Sequence, residues 1–396
     1  MTVFEDSTTT RHLGSQGKLM QNVNNLVTPK APAAPWLHSY VAPSLPGAAA
    51  YKIDTMSAAI KLDQNESPWD LPIAIKQKVM NRVMAMEWNR YPSAFADELA
   101  EKIASSAGFA PGSVLLGPGS NYLVALILTT FGKGIMNGQG TLVVARPSFP
   151  LYESHSRYEG IPYTTWDLNA DLEYDVNLLP PLSRGSLVMF ASPNNPVGNV
   201  LPRQTLIELL ERFPDTLFVA DEAYFEYASE PYADLLADFS NLLLLRTFSK
   251  TMGCAGVRLG YIVGHEQYLQ LLRKPRLPFL LNQFTLACAD VLLSDEETKA
   301  HLQRIRENAL EQRDRVYVAL KNIGQAKGFF VKDSSANFLL LRWADKDQAL
   351  AVYAGLIKAG ILVRNVGAAP GLAGCLRVTI GDERENDALI AAMSKL

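Results

Sequence analysis

Cysteine and histidine are scarce here, three and five among 396 residues. Cys254, Cys288 and Cys375 stand too far apart for a zinc-binding or redox-active spacing and read as buried apolar thiols in a reducing compartment. His12, His38, His155, His265 and His301 are equally dispersed, so neither a metal centre nor a histidine triad is indicated. No apolar run nears the roughly 20 residues that cross a bilayer, and Met1 to Asp6 lack the apolar segment of a secretory signal. A strong charge of either sign is missing as well. The formal net charge is -3 and the basic residues are scattered, which argues against nucleic acid or a membrane as partner. These absences leave a cytoplasmic enzyme of small molecules as the expectation.

What is present is apolar content, 48% of the chain, enough for a large core in two domains. Residues 1–35 are rich in Thr, Ser, Asn and Gln and read as a mobile arm, followed by a Pro/Ala/Gly-rich connector over 31–50. Helical periodicity at 96–106 and 204–212 alternates with buried-strand runs at 140–145, 186–191 and 216–220. Such alternation predicts an α/β domain with a largely parallel sheet and ligands at the strand carboxyl ends. Helices are expected between 264 and 330, then strands at 334–343 and 375–380 in a smaller α+β domain.

Several motifs follow the predicted strands. After Leu242–Leu245 comes Arg246-Thr247-Phe248-Ser249-Lys250, with Arg258 eight residues on. A lysine behind a strand is usually a surface cation. Beside a serine and an arginine it also suits a lysine that holds an aldehyde cofactor through its amine while Ser249 and Arg258 take a phosphate. Asp221-Glu222-Ala223-Tyr224 follows another strand. Asp221 is either a helix cap or the partner of a protonated ring nitrogen, with Tyr224 near that ring's phenolic oxygen. Ser192-Pro193-Asn194-Asn195-Pro196-Val197-Gly198 is a turn that can aim the Asn195 amide at the same oxygen. Gly117-Pro118-Gly119-Ser120-Asn121 opens a helix whose first amides suit a phosphate, though a plain capped turn needs no ligand. Phe149, in Arg146-Pro147-Ser148-Phe149-Pro150-Leu151-Tyr152, can stack on a planar ring or fill the core.

With Asn65-Glu66-Ser67-Pro68, Arg90-Tyr91-Pro92 and Gly256–Gly260, these motifs stand in the order and spacing of one family. From about residue 60 onward the chain resembles the fold-type-I pyridoxal-phosphate aminotransferases, and among them the histidinol-phosphate aminotransferases. The resemblance implies pyridoxal 5'-phosphate as cofactor, with catalytic roles for Lys250, Asp221 and Tyr224. It places Tyr91, Ser120, Asn121, Phe149, Asn195, Ser249 and Arg258 around the cofactor as well. It puts Asn65, Arg364 and Arg377 at the substrate, and it assigns Tyr91 to the neighbouring subunit's cofactor, hence a homodimer with shared active sites. The implied domains are an N-terminal segment over 36–70 packing on the small domain, a cofactor-binding domain over 71–295, and a small domain over 296–396.

The implied reaction exchanges an amino group between glutamate and a phosphorylated acceptor, in histidine biosynthesis. An aromatic or broad amino-acid aminotransferase, with Arg377 on a carboxylate, is the alternative. So is a decarboxylase of a phosphorylated amino acid, and a third is a non-catalytic effector-binding module on the same fold. Two departures from the family pattern bear on the choice. Pro43-Ser44-Leu45-Pro46-Gly47 carries serine where a substrate-binding tyrosine is usual, leaving Tyr40 or Tyr51 as substitutes. The phosphate turn reads Gly119-Ser120-Asn121-Tyr122 where Gly-Ser-Asp-Glu is common.

Overall fold

The computed structural model describes residues 44–47 and 56–396. The N-terminal arm, most of the connector, Tyr40 and Tyr51 lie outside them. Two sheets organise the chain. The larger has seven strands in the order β2-β8-β7-β6-β5-β3-β4. They are β2 (Val114–Gly117), β3 (Leu142–Arg146), β4 (Tyr163–Asp167), β5 (Leu187–Ala191), β6 (Leu217–Asp221), β7 (Leu242–Thr247) and β8 (Gly260–Gly264). Strands β3 to β7 run parallel and β8 antiparallel to both its neighbours.

The parallel strands are nearly continuous apolar runs because helices cover both faces. Their side chains alternate between two separate cores. Val143, Phe218, Leu242 and Leu244 enter one core, while Leu142, Val219, Leu243 and Leu245 enter the other. Helix α3 (Ser120–Met136) fills the second core with Leu123, Val124 and Ile127. Helices α1 (Ile73–Met84), α2 (Asp97–Ser106) and α5 (Arg203–Arg212) contribute to the first, and α4 (Leu151–Glu159) follows β3.

Helices α6 (Glu266–Arg273), α7 (Gln283–Ser294) and α8 (Glu296–Lys327) lead to the second sheet, whose order is β1-β11-β12-β10-β9. It joins β1 (Ile60–Leu62), β9 (Phe329–Lys332), β10 (Phe338–Trp343), β11 (Ile361–Asn365) and β12 (Cys375–Thr379), with α9 (Lys346–Lys358) and α10 (Glu383–Lys395) alongside. β1 pairs in parallel with β11, so a segment from the start of the chain closes the edge of a sheet built near its end. The strand expected over 334–343 begins only at Phe338. The Ser334 hydroxyl accepts from the Ala336 amide, and Asn337 spends its side chain on Asn65, so the preceding residues form a turn. Among the described residues no helix is long and apolar enough to cross a membrane.

Candidate active site

The carboxyl ends of β3, β5, β6 and β7 open into a cavity of about 800 Å³, closed on its other side by Asn65, just past β1, and by Arg364 and Arg377 of the smaller sheet. Lys250, Asp221, Tyr224, Asn195, Phe149, Ser120, Asn121, Ser249 and Arg258 all line it. Parallel strands put these residues at one sheet edge although they are spread over 138 positions of sequence, from Ser120 to Arg258.

Asp221 ends β6 and is buried. The Tyr152 hydroxyl donates to its Oδ2 at 2.6 Å and the Ala223 amide to its Oδ1 at 3.1 Å. Burial raises its pKa to about 6, against the lowering effect of those two donors. Lys250 Nζ donates to the Gln64 carbonyl at 3.0 Å. Burial, with Arg377 and Arg258 nearby, lowers its pKa to about 8, so an appreciable minority of the amine is neutral near physiological pH.

Gly119, at φ 84°, turns the chain into α3 and leaves the first helical amides, Ser120 and Asn121, facing the cavity. A Cβ on Gly119 would stand 2.4 Å from an Arg258 guanidinium nitrogen. One on Gly260 would stand 2.7 Å from the Ser120 amide. These two glycines therefore let Arg258 and the helix start converge, and Arg258 also reaches Ser249 Oγ at 3.4 Å. Backbone amides, a hydroxyl and a guanidinium around one hollow form a cradle for a phosphate.

On the facing wall Arg364 and Arg377 are cross-strand partners on β11 and β12. Like charges directly opposite in a sheet are unfavourable, so an anion or other polar partners must offset this pairing. Arg377 donates to the Asn195 side chain and to the Asp63 carbonyl, which ties the smaller sheet to the turn after β5. Asn65, buried at φ 54°, donates from its amide to the Tyr224 hydroxyl at 2.9 Å and is held by Thr379. Phe149 lies edge-on to Tyr152, 5.8 Å between centroids.

Tyr91 is the exception. It is 80% exposed, stacks on Phe279 at 4.6 Å, and does not line the cavity of its own chain. Sequence reasoning missed Tyr152, Arg146, Glu153 and Arg157. Tyr152 was visible in the Phe149 motif as a tyrosine three residues on, one helical turn away.

Comparison with known proteins decides the family. The model of the aminotransferase class I and II family matches residues 57–393. The chain belongs to that family. Curated aminotransferases of this family named histidinol-phosphate aminotransferase are its relatives. That of Thermoanaerobacter sp. (strain X514) is 32% identical over 349 residues, 87% of this chain and 95% of the relative. That of Pyrococcus furiosus is 32% identical over 341 residues, 85% and 92% of the two chains. Among solved aminotransferase structures, the histidinol-phosphate aminotransferase of Sinorhizobium meliloti in complex with pyridoxal-5'-phosphate superposes with a TM-score of 0.72. It shares 25% identity and covers 86% of this chain and 91% of its own. L-threonine-O-3-phosphate decarboxylase from Porphyromonas gingivalis shares the fold at 21% identity, with a TM-score of 0.69 over 85% of this chain and 98% of its own.

These aminotransferases work with pyridoxal phosphate, and the residues present fit it. The glycine-cleared cradle suits its phosphate, and Asp221 lies buried without a cationic partner among the described residues. Lys250 offers an amine whose pKa is already depressed.

Proposed function

We propose that the chain transfers the amino group of glutamate to a phosphorylated 2-oxo compound, making histidinol phosphate from imidazole-acetol phosphate in histidine biosynthesis. The observation that carries this reading is the pairing of Arg364 and Arg377 opposite Lys250 in one cavity. Two planar guanidinium groups suit the phosphate of one substrate and the carboxylates of the other. The names and coverage of the curated relatives support it.

Bound coenzyme supplies a protonated ring that draws electrons from the carbon bearing the amine. The protein's own groups do the rest. Lys250 would anchor the coenzyme through Nζ, and the same amine, when free, would serve as the base for the substrate's α-proton. Asp221 keeps the ring nitrogen protonated, and that cation in turn favours the ionised carboxylate. Asn195 and Tyr224 would serve the phenolic oxygen, Phe149 would pack against the ring, and Ser120, Asn121, Ser249 and Arg258 would hold the phosphate. Asn65, Arg364 and Arg377 orient the substrate. The working domains in this reading are 71–295 for the coenzyme and 296–396 for the smaller sheet, with 36–70 packed against the latter. Three free, buried cysteines suit the cytoplasm.

The assembly we infer is a homodimer with shared sites. Tyr91 and Phe279 stack on each other and both are exposed, as are the apolar Met84, Trp88 and Leu277, and the Phe279 amide is fixed to the Ala94 carbonyl. Such exposed apolar groups fit a second copy, with Tyr91 reaching the partner's coenzyme phosphate. Mixing inactive Tyr91→Ala and Lys250→Ala proteins tests this. Hybrids contain one complete site, so activity should return; none returning after verified subunit exchange rejects the shared site.

The function itself is tested by mixing holoenzyme with histidinol phosphate, glutamate or phenylalanine and following the coenzyme spectrum. Rapid conversion by the first two supports the reading. Conversion by phenylalanine but not histidinol phosphate would replace it with the aromatic aminotransferase.

A further inference from the structure

We propose that Arg157 is a third anion-binding guanidinium of the substrate cavity, positioned to hold the phosphate of a phosphorylated amine. The inference rests on the cavity's reading as a site for such a substrate and identifies a further residue that selects it.

Glu153 and Arg157 stand four residues apart on α4 and both line the cavity, as does Phe149 just ahead of the helix, so one face of α4 forms a wall of the site. Phe149 precedes the helix start, Glu153 lies in its first turn and Arg157 one turn further along. Long helical side chains lean toward the helix N-terminus, which carries the Arg157 guanidinium back along the wall toward Glu153.

Arg157 Nη1 donates to the Tyr163 hydroxyl at 2.9 Å and lies 3.5 Å from Glu153 Oε2. Its remaining donors have no acceptor among the described residues, and the side chain is half exposed. Arg146 provides the contrast. It also lines the cavity, but its Nε and Nη2 both engage Asp167, at 2.7 and 2.9 Å, so its planar fork is already spent.

Ser44 connects this wall to the departure noted in the sequence. Its hydroxyl donates to the Arg157 carbonyl, and Ser44 itself is not a cavity residue. The position where the family resemblance expects a substrate-binding tyrosine thus lies beside α4, and the group that faces the cavity from that wall is a guanidinium. Glu153 offsets its charge when no substrate is present. A dianionic phosphate offers more acceptor oxygens than Glu153 can, and draws the guanidinium toward Arg364 and Arg377.

The experiment compares wild type, Arg157→Gln and Glu153→Gln as coenzyme-loaded proteins. Binding of methyl phosphate is followed by phosphorus NMR, and half-reactions are run with histidinol phosphate and with histidinol. Loss of one charge-assisted contact should weaken methyl phosphate about tenfold or more in Arg157→Gln, and Glu153→Gln should bind it at least as tightly as wild type. The preference for histidinol phosphate over histidinol should fall by a similar factor in Arg157→Gln, through KM rather than kcat. A structural role alone would move both substrates together. Unchanged methyl phosphate affinity in Arg157→Gln overturns the assignment. If wild type binds methyl phosphate through Arg157 yet ignores histidinol phosphate, the proposed reaction fails and the anion site stands.

Discussion

Asp221 and Glu222 are adjacent, both buried, and face opposite sides of the large sheet. Glu222 turns toward the closed core. It accepts from the Tyr232 amide at 2.8 Å and from Arg246 Nε at 2.8 Å, and the Arg246 guanidinium lies 3.7 Å from the Phe225 ring centre. Asp221 turns toward the cavity and, among the described residues, accepts only from the Tyr152 hydroxyl and the Ala223 amide. One acid is neutralised by the fold; the other is left with charge to give. A buried carboxylate without a cation is costly, and such a cost is kept where a ligand brings the missing charge.

The cavity face should show the largest effect. Lys250→Ala is expected to lower turnover by at least about a thousandfold and to abolish borohydride fixation of coenzyme, read by assay and mass spectrometry. Next comes Asp221→Asn, expected to cost roughly a hundredfold to a thousandfold in turnover. Its stability should move the other way. The folded carboxyl titrates at about 6 against a usual 3.8, so the folded state holds the extra proton and wild-type stability falls as pH rises between those values. The amide escapes that penalty. Coenzyme-free Asp221→Asn should therefore be more stable above about pH 6, by up to about 3 kcal/mol, with the gap closing below about pH 4. Urea melts at both pH values check it, and an equal gap at both would contradict the electrostatic account.

On the core face, Arg246→Met strands Glu222 without its cation. The expected loss is about 3–5 kcal/mol of unfolding free energy, with turnover per folded molecule within about twofold of wild type. A catalytic defect without a stability defect would erase the distinction between the two acids. The smallest effect concerns pH. Lys250 titrates at about 8, so coenzyme capture by the coenzyme-free protein should quicken about tenfold from roughly pH 6 to 7 and level off above about 8. A flat profile in stopped-flow absorbance would show that this amine does not limit capture.

Much of the site was legible because each motif is local. Asp221 and Lys250 follow apolar runs that had to be strands, and Gly119 precedes a helix whose first amides had to point outward. The strand start at Phe338, the parallel pairing of β1 with β11 and the Tyr152 contact to Asp221 were not legible. Each depends on a partner distant in sequence or on which way a helix face turns.

The sequence alone determined the parallel sheet, through apolar runs long enough to be buried on both faces, and the coenzyme chemistry, through residue types fixed to strand ends and turns. Only the tertiary structure decided that Arg364 stands across from Arg377, that Arg157 shares their cavity, and that Arg246 neutralises Glu222 while Asp221 is left to the cavity. Side-chain chemistry is written residue by residue, whereas charge compensation depends on which groups the packing brings within a few ångströms.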